Sequence, residues 1–168
     1  MFSLDLRKIA LAGLIAAAYA VLSVALAPLS FGVYQVRVAE ALTILPFITD
    51  AAVIGLFVGC AIANYFGGNG IYDIVFGSLL TLGAAILTRY IGTFSRRQRS
   101  PNLGYIFAPL PPVLLNAFGV AVYLAPIAGL GYWFTVQMIG LGEMIACYVL
   151  GLPLLAMLNR RFSALHGS

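Results

Sequence analysis

The stretch YQVRVAEALTILPFI, residues 34–48, sets Gln35, Arg37 and Glu40 among apolar residues and places Pro46 near its end. Around it the chain is 62% hydrophobic and 8% charged over 168 residues, whereas soluble domains carry about 25% charged residues. Long apolar runs without ten-residue alternation predict transmembrane helices rather than barrel strands. The sequence therefore predicts an all-α integral membrane protein, a single domain over residues 1–168 with room for about six spans.

The basic residues decide how residues 39–66 are divided, either as one helix interrupted at Pro46 or as two short helices. Clusters of Lys and Arg mark the cytoplasmic side of a membrane protein. The clusters are Arg7 with Lys8, Arg96 with Arg97 and Arg99, and Arg160 with Arg161. An even number of crossings must separate neighbouring clusters, and division at residues 46–50 meets this requirement. We predict six transmembrane helices with both termini cytoplasmic, near residues 9–27, 38–48, 51–66, 71–91, 105–127 and 132–158.

This division makes the second helix too short to cross alone. Residues 38–48 span about 16 Å at 1.5 Å per residue, against a hydrocarbon core of about 30 Å. The preceding peptide must therefore dip below the outer surface, where irregular backbone survives only against protein or a watery cavity. We expect Arg37 and Glu40 to line a recess open to the outside; the simpler alternative is that they pair with each other at i, i+3.

Polar residues inside apolar segments are costly and are candidates for function. In the six-span arrangement Arg37, Glu40, Asn64, Asn69 and Asp73 fall at outward ends, Asn116 and Glu143 lie deeper, and Trp133 and Gln137 lie at the outward end of the last span. This distribution favours a solute site over a through-channel. Structural alternatives remain for several of them, since GGNGIYD is turn-like, Asn116 can join helices and Asp50 suits a helix N-cap. Glu143 has no cationic residue near it in sequence and needs a cation or a donor.

Small residues mark one face of the first segment. Ala12, Ala16 and Ala20 recur at i, i+4 and i+8, a spacing that lets another helix approach closely. That helix belongs either to this chain or to a partner subunit. Cys60 and Cys147 both fall in apolar segments, and we interpret them as small buried residues rather than a disulfide.

Several catalytic and nucleotide-binding motifs are absent from the sequence. It contains no G-x-x-x-x-G-K-[ST] phosphate loop, and Lys8 is its one lysine. It also contains no H-E-x-x-H, C-x-x-C or G-x-S-x-G pattern. The chain cannot hydrolyse ATP through a phosphate loop, an intramembrane enzyme is disfavoured, and no cofactor is predicted.

Four blocks of the chain resemble the QueT family of bacterial queuosine-precursor transporters, and they match in order and spacing. The blocks are YQVRVAEALTILPFI (34–48), GLFVGCAIANYFGGNGIYDIVFGSLLTL (55–82), PLPPVLLNAFGVAVYL (109–124) and GLGEMIACYVLGLPLL (140–155). The resemblance implies the six-helix fold of a substrate-binding S component of an energy-coupling factor (ECF) transporter, located in a bacterial plasma membrane. It also implies a partner module, made of a transmembrane T subunit and two ATPases, which supplies the missing phosphate loop. The face of Ala12, Ala16 and Ala20 would then dock on the T subunit.

The cargo implied by the resemblance is a 7-deazaguanine base such as 7-aminomethyl-7-deazaguanine, or a related queuosine salvage product. A guanine edge offers a ring N–H and an exocyclic amine side by side, which a carboxylate accepts as a fork, and an aminomethyl ammonium needs a second carboxylate. Glu40, Asp73 and Glu143 are the predicted partners of these donors, with their assignment open. The other predicted substrate-binding residues are Arg37, Asn69, Asn64 or Asn116 for the carbonyl edge, and Trp133, Tyr34 or Phe76 for stacking on the ring.

Two other functions stay open at this point. A self-sufficient secondary transporter or small channel for a heterocyclic solute is favoured by inverted repeats and broken helices, but no clear internal repeat is visible. A purely structural membrane subunit would have no solute affinity, and the concentration of polar groups in the outer half argues against it.

Overall fold

The computed structural model of the chain describes residues 5–31, 36–98 and 101–166, which contain helices and no strand. The α-helices are α1 (Leu6–Ala25), α2 (Ala27–Ser30), α3 (Ala51–Gly67), α4 (Ser78–Arg97), α5 (Pro101–Phe107), α6 (Leu110–Ala128), α7 (Tyr132–Met144) and α8 (Leu152–His166). A 3₁₀ segment runs over Val38–Phe47, a first π turn over Asp73–Gly77 and a second π turn over Ile145–Gly151.

Four helical stretches are long and apolar enough to cross a membrane. They are Leu6–Ala25, Asp73–Arg97, Leu103–Ala128 and Tyr132–Asn159. Two shorter apolar helices, Val38–Phe47 and Ala51–Gly67, occupy the positions predicted for the second and third spans. The all-helical class is thereby confirmed and the four long apolar helices are compatible with a membrane protein, whereas six crossings and cytoplasmic termini stay predictions.

The second predicted helix is a 3₁₀ helix rather than an α-helix. Its ten residues span about 20 Å at 2.0 Å per residue, somewhat more than the α-helical length expected. The segment is largely buried, and the Thr43 hydroxyl donates to the Glu40 carbonyl oxygen at 2.6 Å. A Cβ added at Gly151 would lie 3.2 Å from the Ala41 carbonyl oxygen, and one added at Gly92 would collide with the Phe47 carbonyl oxygen. Glycines on two neighbouring elements therefore let their backbones close directly onto the slender segment.

The alanine face of α1 packs within this chain. A Cβ added at Gly55 would lie 2.6 Å from the Ala12 carbonyl oxygen, and one at Gly59 would lie 2.8 Å from that of Ala16. Because the residue numbers of the contacting pairs rise together in both helices, α1 and α3 run parallel. Their backbones lie nearly in contact, as small residues permit.

The expectation that Ala12, Ala16 and Ala20 form a surface for a partner therefore needs correction. Ala16 and Ala20 are 6% and 8% exposed and Ala12 is half-buried, and Gly55 and Gly59 of α3 lie against Ala12 and Ala16. Of the two alternatives left open by the sequence, packing inside the chain is the one observed.

Basic residues gather at one end of the bundle. Arg89 on α4 forms an ion pair with Asp50 at the start of α3, and Arg96 donates to the Phe47 carbonyl oxygen at 2.8 Å. Since α1 runs parallel to α3, Arg7 and Lys8 begin at this same end, hereafter the basic end. This agrees with the predicted placement of the first two basic clusters on one side; Arg99 of the second cluster lies outside the described residues.

Asp50 precedes α3 as expected of an N-cap, but its side chain makes no capping hydrogen bond. The carboxylate turns to Arg89 instead. The predicted N-cap role of Asp50 is therefore corrected to an ion pair that ties α3 to α4.

The close contact of α1 with α3 gives a matched pair of alanine substitutions. We expect Gly59→Ala to destabilise the fold by about 1–3 kcal/mol, because the new methyl overpacks against Ala16. Gly13→Ala should leave stability unchanged or raise it by about 0.5–1 kcal/mol, since helical alanine is favoured over glycine and nothing lies within 4 Å of a Cβ there. Thermal unfolding of both variants in the same detergent measures the difference, and equal melting temperatures would contradict the packing described.

Candidate functional site

A buried ion pair lies at the end of the bundle opposite the basic end. Arg37, just before the 3₁₀ segment, places Nη2 3.3 Å from Oδ2 of Asp73, with the two side chains 7% and 1% exposed. The Arg37 Nε also donates to the Ser30 carbonyl oxygen at 3.2 Å, and its guanidinium lies 5.1 Å from the centroid of the Phe31 ring. Within the described ranges, the acid that pairs with Arg37 is thus Asp73, and the alternative pairing with Glu40 at i, i+3 is not observed.

Asp73 is the hub of this end. Tyr123 on α6 donates its hydroxyl to Oδ1 at 2.6 Å, and Asn69 donates to Oδ2 at 3.1 Å. Asn64 on α3 donates to the Asp73 backbone carbonyl at 2.8 Å. The carboxylate therefore accepts hydrogen bonds from Arg37, Asn69 and Tyr123. These donors lie just before the 3₁₀ segment, just after α3 and on α6, so Asp73 connects all three regions.

The first π turn allows this convergence. A Cβ added at Gly77 would lie 2.8 Å from both Asn64 Nδ2 and Asp73 Oδ1, and 3.0 Å from the Tyr123 hydroxyl. Only a residue without a side chain lets the turn approach all three groups. Single π turns inside α-helices frequently occur at functional sites.

Glu40 lies buried on the 3₁₀ segment and is 1% exposed. Tyr19 on α1 donates its hydroxyl to Glu40 Oε1. The other oxygen, Oε2, has no hydrogen-bond partner among the described residues. Glu40 is therefore a buried carboxyl group with one acceptor oxygen left over.

Glu143 forms the deeper part of the polar cluster, on α7. Asn116 on α6 donates Nδ2 to Glu143 Oε1 at 2.9 Å, and the Cys147 thiol lies 3.7 Å from Oε2. The same thiol lies 3.5 Å from the Glu40 carbonyl oxygen, so it links the two acidic positions. Cys147 and Cys60 are both buried and free, which confirms the interpretation made from their apolar surroundings.

The charges in this cluster do not balance. Its buried groups comprise one guanidinium, Arg37, and three carboxyl groups, at Glu40, Asp73 and Glu143. Asp73 is compensated by Arg37, whereas Glu40 and Glu143 have no ion-pair partner in the described part of the chain. Two buried carboxyl groups without a cation need either protons or a cationic or donor-rich ligand.

A crevice of about 150 Å³ lies at the same end. Its walls come from the segments that connect the helices and from the ends of α6 and α7, namely Phe31, Asn69, Leu124, Ile127, Ala128, Leu130 and Thr135. Asn69 is shared between the crevice and the Asp73 hub. The crevice is mainly apolar, and it meets the polar cluster at Asn69 and at Phe31, which lies beneath the Arg37 guanidinium.

Seven of the eight predicted site residues fall in this region. Arg37, Asn64, Asn69 and Asp73 meet in one hydrogen-bonded group, Asn116 and Glu143 pair deeper, and Glu40 lies between the two groups along the 3₁₀ segment. Trp133 differs: it is 69% exposed and packs edge-on against Tyr132. Phe76 is also exposed and stacks on Tyr72, while Tyr34 lies outside the described residues. Substrate contact by any of these residues stays a prediction.

The sequence did not single out the residues that complete the cluster. Tyr19, Tyr123, Phe31, Thr135 and Cys147 all line the crevice or contact the acids. Tyr19 and Tyr123 could have been predicted, because they lie inside apolar helices and a buried tyrosine hydroxyl normally finds a polar partner. Phe31 has no such signal, since its position depends on Gly67, where a Cβ would collide with the phenyl ring.

Comparison with known proteins gives one family. The family model described as QueT transporter matches residues 9–160, which includes every described member of the polar cluster. No curated protein and no solved structure matched the chain. A transport role agrees with the apolar helices and with the polar cluster buried among them. The chain is a multi-pass membrane protein, and it belongs to the QueT transporter family.

Proposed function

We propose that this chain is the substrate-binding S component of an ECF importer and captures a queuosine precursor such as 7-aminomethyl-7-deazaguanine from outside. Partner subunits, a transmembrane T subunit and two ATPases in the bacterial plasma membrane, would drive its uptake. The observation that carries the proposal is the surplus of buried acceptors in the polar cluster.

Three buried oxygens of that cluster have no donor among the described residues: Glu40 Oε2, Asn64 Oδ1 and Asn116 Oδ1. All three are acceptors, and two of the three buried carboxyl groups have no ion-pair partner there. A ligand that completes the site should therefore bring hydrogen-bond donors and positive charge.

7-Aminomethyl-7-deazaguanine has this chemistry. Its guanine edge offers a ring N–H beside an exocyclic amine, a fork that matches one carboxylate. Its aminomethyl ammonium supplies a cation for a second carboxylate. Asp73 is occupied on both oxygens by Arg37, Asn69 and Tyr123, so Glu40 and Glu143 are the better partners for the ligand. Asp73 then serves to hold Arg37 and Asn69 in place.

The crevice supplies an entrance and an aromatic surface. Phe31 lies on its wall and beneath the Arg37 guanidinium, where a flat heterocycle can stack as bases do on aromatic side chains. We therefore propose Phe31 for the stacking role that the sequence suggested for Trp133, Tyr34 or Phe76.

Energy coupling requires a partner, because the sequence has no phosphate loop. With Ala16 and Ala20 buried, the exposed small residues between Leu6 and Ala20 of α1 are Ala10, Gly13 and Ala17. They recur at i, i+3 and i+7, so they share one face and permit close approach of another helix. We place T-subunit docking on this face.

A cationic ligand should bind more tightly than its neutral analogue. We expect the purified chain to prefer 7-aminomethyl-7-deazaguanine over the 7-cyano compound by at least about ten-fold, because a hydrogen bond to a charged group contributes about 1.5–3 kcal/mol. Isothermal calorimetry measures both affinities. Absence of heat and of any thermal shift across 7-deazapurines would rule out the substrate assignment, and equal affinities would rule out the charge argument.

Removal of the deeper charge should weaken that preference. Glu143→Gln keeps the acceptor for Asn116 but removes the carboxylate, so we expect at least a ten-fold loss of affinity for the aminomethyl compound and little change for the cyano compound. Thermal stability should be unchanged or higher, since a buried carboxyl group without a cation is removed. Asp50→Asn is the matched control, because Asp50 is largely exposed at the basic end and its loss should leave binding intact. An equal effect of the two substitutions would contradict a ligand role for Glu143.

The docking face is tested by adding bulk to α1. Ala17→Leu should reduce co-purification with the T subunit several-fold and leave ligand affinity unchanged, because the added side chain holds the partner helix away. Ala156→Leu, an equal change at an exposed position of α8, is the control. Full co-purification of Ala17→Leu would remove this face from the proposal.

A further inference from the structure

A second cavity lies far from the polar cluster, near the basic end. It is a groove of about 490 Å³ between α4 and α5. Its walls are Tyr90, Ile91, Phe94, Leu103, Gly104 and Phe107, with Ser95 and Gln98 toward the end of α4. Asp73 lies 17 residues before Tyr90 on the same continuous helix, which is about 26 Å at 1.5 Å per residue, so this groove is separate from the candidate substrate site.

The groove has the shape and polarity of a site for a hydrocarbon chain. Tyr90, Phe94, Leu103 and Phe107 are each about half exposed or more, and the rings of Tyr90 and Phe94 stack at 6.2 Å. Gly104 draws α5 onto α4, because a Cβ there would collide with Ser95. The result is an open apolar channel at the point where α4 reaches the end of the bundle.

Arg97 precedes Gln98 of the groove wall on α4 and so places a cation beside the polar end of this groove. Arg97 follows Tyr90 and Phe94 at i+7 and i+3, so the three residues share one face of α4. Arg97 is exposed and has no ion pair in the described ranges. The two other arginines of α4 have partners within the chain. Arg89 pairs with Asp50, and Arg96 contacts the Phe47 carbonyl oxygen and ring.

The depth of Arg97 suits a lipid headgroup. The helix from Asp73 to Arg97 has 25 residues and is about 37 Å long, which exceeds a hydrocarbon core of about 30 Å. If Asp73 lies just inside one surface, Arg97 reaches the headgroup layer of the other. Basic pockets between membrane helices on the cytoplasmic side bind anionic headgroups.

We propose that this groove binds an anionic phospholipid, with an acyl chain along Tyr90, Phe94 and Leu103 and the phosphate on the Arg97 guanidinium. A guanidinium matches phosphate oxygens in a two-point contact. The carbonyl end of α4 disfavours an anion, so selectivity for charge rests on Arg97. Ordinary boundary lipid would fill the groove without regard to headgroup charge, and that difference makes the proposal testable.

Native mass spectrometry of the purified full chain provides the test. The protein is exchanged into an equimolar mixture of phosphatidylglycerol and phosphatidylcholine with identical acyl chains, and the retained lipids are counted. We expect enrichment of phosphatidylglycerol that falls about five-fold in Arg97→Gln, the change expected for one cation at an anionic surface. Lys8→Gln removes an exposed cation from the same end and should keep the enrichment.

A second pair of variants tests the groove itself. Leu103→Trp fills it and should lower retention of phosphatidylglycerol, whereas Leu87→Trp adds the same bulk at an exposed position of α4 outside the groove and should not. Thermal unfolding confirms that each variant is folded. Equal retention of the two lipids by the unaltered chain, or undiminished enrichment in either Arg97→Gln or Leu103→Trp, would overturn the proposal.

Discussion

The ion pair between Arg37 and Asp73 is the contact on which the end of the bundle opposite the basic end depends. It joins residues 36 positions apart, and it ties the entry of the 3₁₀ segment to the start of the long helix that ends at Arg97. Loss of one partner of a buried ion pair typically costs about 3–5 kcal/mol, because the other charge is left buried and alone. Here the cost is held down by further donors on Asp73, from Tyr123 and Asn69. The buried Arg37 guanidinium is itself stabilised by Asp73 and by the Ser30 carbonyl oxygen.

Small residues make that contact reachable. The 3₁₀ segment is thinner than an α-helix and lies between α1, α3, α4 and the second π turn. Gly92 and Gly151 bring neighbouring backbones against it, and Gly77 brings the first π turn against Asn64 and Tyr123. In lipid there is little hydrophobic drive between helices, so close packing of this kind supplies the association. The same glycines that hold the bundle together therefore bring the acids of the site into one group.

The sequence predicted the helical class, the division near Pro46 and most of the polar cluster, and the reason is physical. The length of apolar segments and the positions of arginines are read directly from the sequence, and a single polar residue in an apolar helix is easily recognised. The residue with which each polar side chain pairs in the fold cannot be recognised in this way. Arg37 has Glu40 at i, i+3 but meets Asp73, because the fold brings the first π turn against the residue that precedes the 3₁₀ segment. Ala16 has the spacing of a partner surface but meets Gly59, since both kinds of interface need the same small residues. Trp133 was assigned by its position along the chain, whereas its 69% exposure depends on which way α7 is rotated.

The position of the uncompensated acids suggests why ligand occupancy would matter to the rest of the molecule. Glu40 belongs to the 3₁₀ segment, Glu143 to α7, Asn116 to α6 and Asn64 to α3, and each of these side chains except Glu143 retains an acceptor oxygen without a described donor. A ligand rich in donors would therefore bridge these elements by donating hydrogen bonds to acceptor oxygens that have no described donor. Because a ligand stabilises whichever conformation it binds best, filling these acceptors would favour the arrangement in which the four elements are drawn together. The 3₁₀ segment carries Glu40 directly, and runs of this helix type longer than about 3–4 residues are uncommon. Capture of the solute and a change in the shape of the bundle would then follow from one imbalance of buried charge.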